Sequence, residues 1–285
     1  IDILMCWYAK CTVSVRWCST YSNAFPVLAG VRQGGILSPY LFAIYIDEII
    51  DLLSRSGKGC HVNGKFMGCL LYADDILLIS ISVNQLQHML NICSNVVQDL
   101  DLQFNVKKCA VFRIGKRHNV SCGKLVLSGQ PLQIVSECKY LGVHIIAGHL
   151  FKCNYAHVKL RFYRCFNAIY SRAKSSSSEG ICINLMKSYC LPLVLYASEA
   201  IPPSSGDVES LELLQYKAIA KIFKTFDKNV ISAVCLGFNI QNVSALVRMR
   251  HANFITKFRC KSISVSLSEI LYHKFDCVKS LYKLN

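Results

Sequence analysis

The chain has 285 residues, of which 53% are hydrophobic and 17% are charged. This composition excludes a disordered protein, because it supplies enough apolar surface for a sizeable buried core. The formal net charge of +15 and the pI of about 9.2 favour a polyanionic partner, either nucleic acid or an anionic membrane surface.

The first part of the chain mixes helical and strand-like patterns. Residues 3–16 have helical spacing with a strand-like end, and residues 19–35 have the composition of a loop. A helix is predicted from Ser38, which would cap it, to about Gly57, with Pro39 in the first turn. Asn-Gly at residues 63–64 then predicts a tight hairpin turn.

An apolar run from Phe66 to Ile81 follows, interrupted only by an acidic pair. It predicts two strands joined by an acidic turn. A helix is predicted over residues 83–100, then a strand over 109–114 and short strands that lead to Tyr-Leu-Gly at residues 140–142.

After residue 148 the apolar spacing becomes helical. Helices are predicted near residues 150–174, 181–200 and 207–225, and residues 230–285 are predicted to be mostly helical. The Ser-rich segment Ser175–Gly180 and the Pro-rich segment Pro202–Gly206 are predicted to join them.

The 16 cysteines are scattered through apolar stretches and form no Cys-x-x-Cys pair. They are typical of buried, reduced thiols in an intracellular protein that is not secreted, and the absence of ligand spacing disfavours a structural zinc site.

The amino-terminal residues lack the pattern of a signal peptide. No apolar run approaches the roughly 18 residues that a membrane span requires, so no membrane insertion is expected.

Positive charge is concentrated in the second half. Residues 1–145 contain 13 Lys and Arg against 9 Asp and Glu, whereas residues 146–285 contain 19 against 8. No acid occurs from Cys138 to Ser178, a stretch whose basic residues are Lys139, Lys152, Lys159, Arg161, Arg164, Arg172 and Lys174. A solvated helix face is one interpretation. Solvation does not require a single sign of charge, so a surface that faces nucleic acid is favoured.

Asp74 and Asp75 lie between the apolar segments Leu-Leu-Tyr-Ala and Ile-Leu-Leu-Ile. Two buried like charges lose hydration and disfavour each other's ionisation, so such a pair is costly without a cation. Mg²⁺ suits a site with a few carboxylate oxygens, phosphate oxygens and water. The alternative is an exposed Asp-Asp turn that binds nothing.

Residues 30–42 read Gly-Val-Arg-Gln-Gly-Gly-Ile-Leu-Ser-Pro-Tyr-Leu-Phe. This is a basic, glycine-flanked loop that leads into a helix amino terminus, where backbone N–H groups and the helix dipole favour phosphate. Glycine also permits close approach of a base or a backbone. A glycine-rich turn alone is weak support for a function, but the whole string is specific.

This string, followed by Tyr-Ala-Asp-Asp at residues 72–75, resembles the reverse transcriptases of non-LTR retrotransposons and the related group II intron enzymes. Further segments match in the order of the family. They are Trp7-Tyr8, Val15–Trp17, the lysine motif Phe104–Cys109 and the primer-grip turn Tyr140–Gly142. The match covers residues 1–146, and the remainder resembles a helical thumb only loosely.

The resemblance implies a role for each matched residue. Asp74 and Asp75 would bind two Mg²⁺ or Mn²⁺ ions, and Lys108 would approach the phosphates of the nucleotide and protonate pyrophosphate. The residues that would contact the incoming dNTP, the templating base or the primer end are Arg32, Gln33, Gly34 and Tyr72. Leu141 and Gly142 would position the primer strand. For Lys108, an exposed lysine beside a strand is the alternative.

One family feature is missing. The family places a third carboxylate on a strand before the glutamine loop, in a Phe-Asp context, where it bridges the metals. Asp2 is the only acid before Asp47, and its surroundings match the helix after that strand, so the role is not assigned to Asp2. An amino-terminally truncated fragment without fingers, inactive alone, is therefore expected, because a lost ligand weakens a two-metal site.

The expected fold is α+β, with a right-hand polymerase palm over residues 1–146, in which helices back an antiparallel sheet, and an all-helical thumb over residues 147–285. The expected reaction is RNA-directed DNA synthesis on an RNA template from a DNA primer. The life cycle of the family implies action in the nucleus. The alternatives are a non-catalytic nucleic-acid-binding palm–thumb module and a relic without function.

Overall fold

The computed structural model describes residues 2–27, 30–173 and 178–259. The chain divides into two compact units. The first comprises the chain up to Cys109 together with Cys122–Leu132, and the second comprises Ala110–Ser121 together with the chain from Gln133 onwards. The predicted boundary between palm and thumb, between residues 146 and 147, lies inside the second unit. The division into palm and thumb remains a prediction.

Helices and strands alternate in the first unit, and helices dominate the second. The helices are α1 Asp2–Ala9, α2 Ser38–Ile46, α3 Glu48–Arg55, α4 Val83–Asp99, α5 Ala156–Ala173, α6 Glu179–Leu185, α7 Leu191–Val194, α8 Ser205–Phe223, α9 Lys228–Gly237 and α10 Val243–Arg259. A 3₁₀ turn spans Val106–Lys108, and a π-helical turn spans Met186–Cys190.

The strands are short. They are β1 Thr12–Val13, β2 Arg16–Trp17, β3 Thr20–Tyr21, β4 Phe25–Pro26, β5 His61–Val62, β6 Lys65–Phe66, β7 Cys69–Tyr72, β8 Asp75–Leu78, β9 Ala110–Val111, β10 Val126–Leu127, β11 Gln130–Pro131, β12 Gln133–Ile134, β13 Glu137–Tyr140, β14 Val143–Ile146 and β15 Lys152–Cys153.

Within the described residues these strands form seven small sheets instead of the single antiparallel sheet that was expected. Six are strand pairs, and β13, β14 and β15 form a three-stranded antiparallel sheet. The mixture of helix and sheet confirms the α+β class, and the palm–thumb arrangement remains a prediction. β15 also shows that the region after residue 147 is not entirely helical.

The core of the first unit lies between α3, α4 and the hairpin β7–β8. Buried residues recur on α4 at helical spacing, at Met89, Cys93, Val96 and Val97, because one face of an amphipathic helix turns inward. They pack against the buried residues Ile46, Ile49 and Leu53. Ser82 caps α4, since its hydroxyl accepts a hydrogen bond from the Gln85 N–H at 3.2 Å.

The predicted helix from Ser38 to Gly57 is interrupted at Asp47, which separates α2 from α3. Ser38 does not cap the helix, which corrects that expectation: it is the first helical residue, and no side-chain hydrogen bond caps α2. Its hydroxyl instead donates to the Arg32 carbonyl at 2.6 Å, so it is engaged with the preceding loop.

In the second unit, α5, α6, α8, α9 and the π-helical turn enclose a larger core. Its members with the least exposure are Phe162, Ile183, Met186, Cys190, Leu211 and Val243. α8 is capped by Ser204, whose hydroxyl accepts from the Asp207 N–H. The helices predicted near residues 150–174, 181–200 and 207–225 are confirmed, with a π-helical turn inside the second.

The segment predicted as a Ser-rich joint falls partly on residues 174–177, and the helical prediction after residue 259 falls entirely outside the described residues. The 14 cysteines of the described part are all free. The predicted burial is found for Cys11, Cys93, Cys182 and Cys190, whereas Cys6 and Cys18 are exposed and the other eight are half-buried. None of the described helices is both long and apolar enough to span a bilayer.

Candidate active site

The acidic pair lies at the end of the hairpin β7–β8, as predicted. The register pairs Leu71 with Ile76 and Tyr72 with Asp75, so Ala73 and Asp74 form a two-residue loop. Side chains alternate between the faces of a strand, and opposite residues share a face. Leu71 and Ile76 pack on the core of the first unit, so Tyr72 and Asp75 lie on the opposite face.

That outward face is solvent-exposed. Tyr72 is 64% exposed, and both Asp74 and Asp75 are exposed. The expectation that the carboxylates are desolvated by an apolar strand pair is therefore wrong for this structure. The physical reason is the short loop, because residues at the tip of a two-residue turn project beyond the packed part of the strands. Exposed carboxylate oxygens are open to a cation, which would in turn attract phosphate.

The loop contains a backbone conformation that L-residues rarely adopt. Ala73 has φ of 51°, in the left-handed region. This conformation costs roughly 1–2 kcal/mol for a residue with a Cβ. Such local strain persists where the surrounding structure enforces it, and it is concentrated at functional sites. The neighbouring strand pairs enforce it here, and the direction of Asp74 and Asp75 depends on it.

The glutamine loop, residues 30–35, is closed by three polar contacts around the Arg32 carbonyl and the following turn. The Gly35 N–H and the Ser38 hydroxyl both donate to this carbonyl, at 3.1 and 2.6 Å, and the Ser38 N–H donates to the Gly35 carbonyl. A Cβ at Gly35 would lie 2.7 Å from the Ser38 hydroxyl oxygen, so the contact requires glycine. Gly34 has φ of +80°, which also favours glycine.

These contacts leave Arg32, Gln33 and Gly34 exposed along an open groove of about 920 Å³. Residues of α1, β1 and β4 form the rest of its lining. The Arg32 guanidinium lies 5.8 Å from the centre of the Trp7 ring, a cation–π contact that holds this side chain over the groove. The three loop residues predicted to contact nucleotide are thus brought together on one concave surface.

Lys108 ends the 3₁₀ turn that follows α4, and it is exposed. Its N–H donates to the Asn105 carbonyl at 2.9 Å, which fixes the backbone and leaves the ammonium group to the solvent. The structure therefore agrees with the accessible position that a nucleotide contact needs. An exposed lysine beside a strand, the alternative interpretation, has the same accessibility.

Leu141 and Gly142, the predicted primer grip, belong to the second unit and form the turn of the hairpin β13–β14. Their φ angles of 45° and 81° are both positive, which is the pattern of a type I′ turn. The Tyr196 hydroxyl donates to the Leu141 carbonyl at 2.8 Å, and its ring lies beside Gly142. Tyr196 thus supports the turn from 55 residues away.

Sequence reasoning missed Tyr196. It lies just after α7 in a stretch that has only apolar neighbours as a signal, and no spacing rule connects it to the turn.

The base of the same hairpin carries a polar cluster. Glu137 on β13 accepts a hydrogen bond from the Asn154 amide at 3.0 Å and lies 2.8 Å from His144 Nδ1 and 3.1 Å from His157 Nε2. The Asn154 hydrogen bond first, and then His144 and His157, hold the pKa of Glu137 below its ordinary value. The carboxylate therefore stays ionised at neutral pH.

The exposed face of α5 is basic. Arg161, Arg164 and Arg172 follow His157 at intervals of four, three and eight residues, which places all four on one side of a helix. The buried residues Phe162, Phe166 and Ala173 mark the opposite side. Three basic residues of the acid-free stretch, Arg161, Arg164 and Arg172, thus lie along one exposed side of α5, which is called the α5 stripe below.

Comparison with known proteins identifies the family of the first half of the chain. The family model described as reverse transcriptase (RNA-dependent DNA polymerase) matches residues 1–145. The retrovirus-related Pol polyprotein of the type-2 retrotransposable element R2DM of Drosophila melanogaster is 29% identical over 143 residues, which are 47% of this chain and 13% of that protein.

Two further relatives match more of the chain. The RNA-directed DNA polymerase from the mobile element jockey of Drosophila melanogaster is 23% identical over 212 residues, 70% of this chain and 22% of that protein. The retrovirus-related Pol polyprotein from the type-1 retrotransposable element R2 of Popillia japonica is 22% identical over 210 residues, 71% of this chain and 34% of that protein.

The chain belongs to the reverse transcriptase family. Two of these three relatives are named as Pol polyproteins of R2 elements and the third as the RNA-directed DNA polymerase of the mobile element jockey. These names confirm the resemblance to non-LTR retrotransposons that was drawn from the glutamine loop and Tyr-Ala-Asp-Asp. Members of this family bind a nucleic-acid template and primer and use divalent metal ions. The chain spans 13–34% of the length of these three relatives.

The contact between Gly142 and Tyr196 yields a test with a matched control. Gly142→Ala and Gly129→Ala both place a Cβ at positive φ in a two-residue hairpin turn, so each costs roughly 1 kcal/mol. Only the Cβ at position 142 meets Tyr196, at 3.2 Å, which adds about 1 kcal/mol. Urea unfolding should show a larger decrease in the free energy of unfolding for Gly142→Ala than for Gly129→Ala. Equal decreases for the two variants would contradict the supporting role of Tyr196.

Proposed function

We propose that this chain carries the catalytic carboxylates, the nucleotide-binding loop and the primer grip of an RNA-directed DNA polymerase of a retrotransposon. The observation that supports this most directly is the hairpin β7–β8. Its register places Tyr72 and Asp75 on an exposed face, with Asp74 in the adjoining loop. A hairpin that ends in two open carboxylates offers the oxygen ligands that divalent ions of a polymerase would take.

In this proposal each residue has a distinct task. Asp74 and Asp75 would hold two Mg²⁺ or Mn²⁺ ions, and ions bound there would supply Lewis-acid activation of the primer 3′-hydroxyl and charge stabilisation for the leaving pyrophosphate. Gln33 and Gly34 meet the base pair formed by the dNTP and the template. Arg32 binds phosphate, since a guanidinium donates two parallel hydrogen bonds to such oxygens.

The remaining residues position the primer and complete proton transfer. Tyr72 lies on the same face as Asp75 and would flank the primer end. Leu141 and Gly142 would support the primer backbone through a turn that Tyr196 holds in place. Lys108 would donate a proton to pyrophosphate as it leaves. Catalysis of this kind depends mainly on positioning and on electrostatic stabilisation, with little covalent chemistry by the protein.

The 285 residues alone should polymerise slowly or not at all. Within the described residues, neither Asp74 nor Asp75 belongs to a group of three ligating side chains. A two-metal site with a carboxylate too few holds its ions loosely, and each ~1.4 kcal/mol of lost transition-state stabilisation slows the reaction tenfold. Full activity would require a third carboxylate from outside the described residues.

A second candidate function, a nucleic-acid-binding module without catalysis, is supported by the positive stripe on α5 and by this incomplete set of carboxylates. It predicts binding that does not depend on Asp74 and Asp75. Both candidates predict that the α5 stripe contacts phosphates, so that surface does not distinguish them. The role of Asp74 and Asp75 in the hairpin β7–β8 does distinguish them, because only the polymerase depends on these two residues.

Bound metal at Asp74 and Asp75 is testable without polymerase activity. Fe²⁺ in place of Mg²⁺, with ascorbate and peroxide, generates radicals that cut the backbone beside the bound ion. We expect cleavage near residues 72–76 in the wild-type chain and its loss in Asp75→Asn. Glu48→Gln removes an exposed acid on α3 of the same unit and should leave the cleavage unchanged. If the backbone near Asp74 and Asp75 is not cleaved in the wild-type chain, the proposed metal site is wrong.

The α5 stripe predicts a change in salt dependence. Removal of Arg161 and Arg164 together by alanine should weaken binding to an RNA–DNA duplex, because two phosphate contacts are lost. The slope of log affinity against log salt should fall by about 2, roughly one for each contact. The control pair Lys217→Ala and Lys228→Ala removes the same charge from exposed sites on α8 and α9. If both pairs change the slope equally, net charge and not the stripe governs binding.

A further inference from the structure

The base of the hairpin β13–β14 brings three metal-ligating side chains together. One ligand atom from each of Glu137, His144 and His157 lies within 4.8 Å of the others. Both imidazole nitrogens point at the same carboxylate oxygen, Glu137 Oε1, at 2.8 and 3.1 Å. All three side chains are partly exposed, at 30%, 21% and 46%, so an ion could reach them from solvent.

Local structure fixes this arrangement. The register pairs Lys139 with His144 and Glu137 with Ile146, so Glu137 and His144 are diagonal neighbours on one face of the sheet. His157 is the second residue of α5 and stacks on His144, with ring centres 3.6 Å apart and planes 10° from parallel. Strand pairing positions two of the ligands, and the start of a helix positions the third.

Asn154 holds the cluster from behind. Its amide donates to Glu137 Oε2 at 3.0 Å, and its side-chain oxygen accepts from the Ala156 N–H at 2.9 Å. Its own N–H donates to the His144 carbonyl at 2.8 Å. The second carboxylate oxygen is therefore already occupied, which directs Oε1 towards the two imidazoles. Protein metal sites commonly orient their ligands through such a second layer of hydrogen bonds.

The donor set selects a class of metal. Two imidazole nitrogens and one carboxylate oxygen suit Zn²⁺ and its neighbours in the first transition row, whereas Mg²⁺ takes oxygen ligands almost exclusively. Tetrahedral Zn²⁺ with bonds of about 2.0–2.1 Å separates its ligand atoms by about 3.3 Å. The observed separations from Glu137 Oε1 are slightly shorter, so the ligands must move outward a little. A metal ion also lies near the plane of each imidazole that binds it, so the exposed His157 ring must turn out of its stack on His144.

We propose that Glu137, His144 and His157 form a binding site for Zn²⁺ or a similar transition-metal ion, with a fourth position open to water. The bound ion fastens the hairpin β13–β14 to the start of α5, since it joins both strands to the helix. The sequence disfavoured a structural zinc site because no Cys-x-x-Cys pair occurs, and this site contains no cysteine. Metal binding itself does not depend on the proposed polymerase function.

Co²⁺ is the most informative probe, because its visible absorption reports its ligands. We expect the full chain to bind one Co²⁺ at this site with bands typical of nitrogen and oxygen ligands. The thiolate-to-cobalt charge-transfer band should be absent, and Zn²⁺ should displace the ion. His157→Ala should abolish these bands. His149→Ala removes an exposed histidine between β14 and β15, outside the cluster, and should retain them.

Two further variants keep the result decisive. Asn154→Ala retains all three ligands but removes their support, and should weaken Co²⁺ affinity by roughly 10- to 100-fold. Asp75→Asn should leave the Co²⁺ bands unchanged, so failure of the polymerase metal site and failure of this site are distinguishable. The proposal is overturned if the wild type shows no such bands, if His157→Ala keeps them, or if a thiolate band shows that cysteines bind the ion.

Discussion

The register of the hairpin β7–β8 is the constraint on which the candidate active site depends. Side chains alternate between the two faces of a strand, so the pairing of Tyr72 with Asp75 places both side chains on the same face of the hairpin. A slip of one residue would turn Leu71 and Ile76 to solvent and carry the acidic residue into the core. Packing of the apolar face against α3 and α4 therefore determines that Asp75 points to the opposite, exposed face.

The second unit applies the same principle to another hairpin. Its turn, Leu141 and Gly142, needs two positive φ angles and is supported by Tyr196, while its base is tied to α5 through Glu137. The tip is thus held by a long-range hydrogen bond, and the base by a cluster of imidazoles around one carboxylate. The primer-grip role proposed for this turn would require such support, because a two-residue turn by itself is free to bend.

The sequence predicted the local features well because their signals are local. Asn63-Gly64 and the acidic turn at Asp74 follow from turn chemistry within a few residues, and the helix start near Pro39 follows from the preference of proline for the first helical turn. The break at Asp47 was missed because the apolar spacing continues through it. The exposure of Asp74 and Asp75 was also missed, since the apolar flanks suggested burial and only the loop length decides it.

The sequence could not predict the long-range contacts, for a different reason. The partners Tyr196 and Leu141 lie 55 residues apart, and His157 approaches Glu137 only because β15 returns the chain to the sheet before α5 begins. No spacing rule encodes either contact. The roles of Gln33, Lys108 and Leu141 came from resemblance to a family, and they remain proposals that the geometry is compatible with.

The central claim is that Asp74 and Asp75 hold catalytic metal ions against a bound primer and nucleotide. The measurement that tests it most directly is the affinity of the chain for an RNA–DNA primer–template with a non-hydrolysable dNTP, with and without Mg²⁺. The account predicts that Mg²⁺ tightens this complex severalfold in the wild type and not in the double variant Asp74→Asn, Asp75→Asn. Equal Mg²⁺ dependence in both proteins would contradict it and would leave a nucleic-acid-binding module without a catalytic metal site.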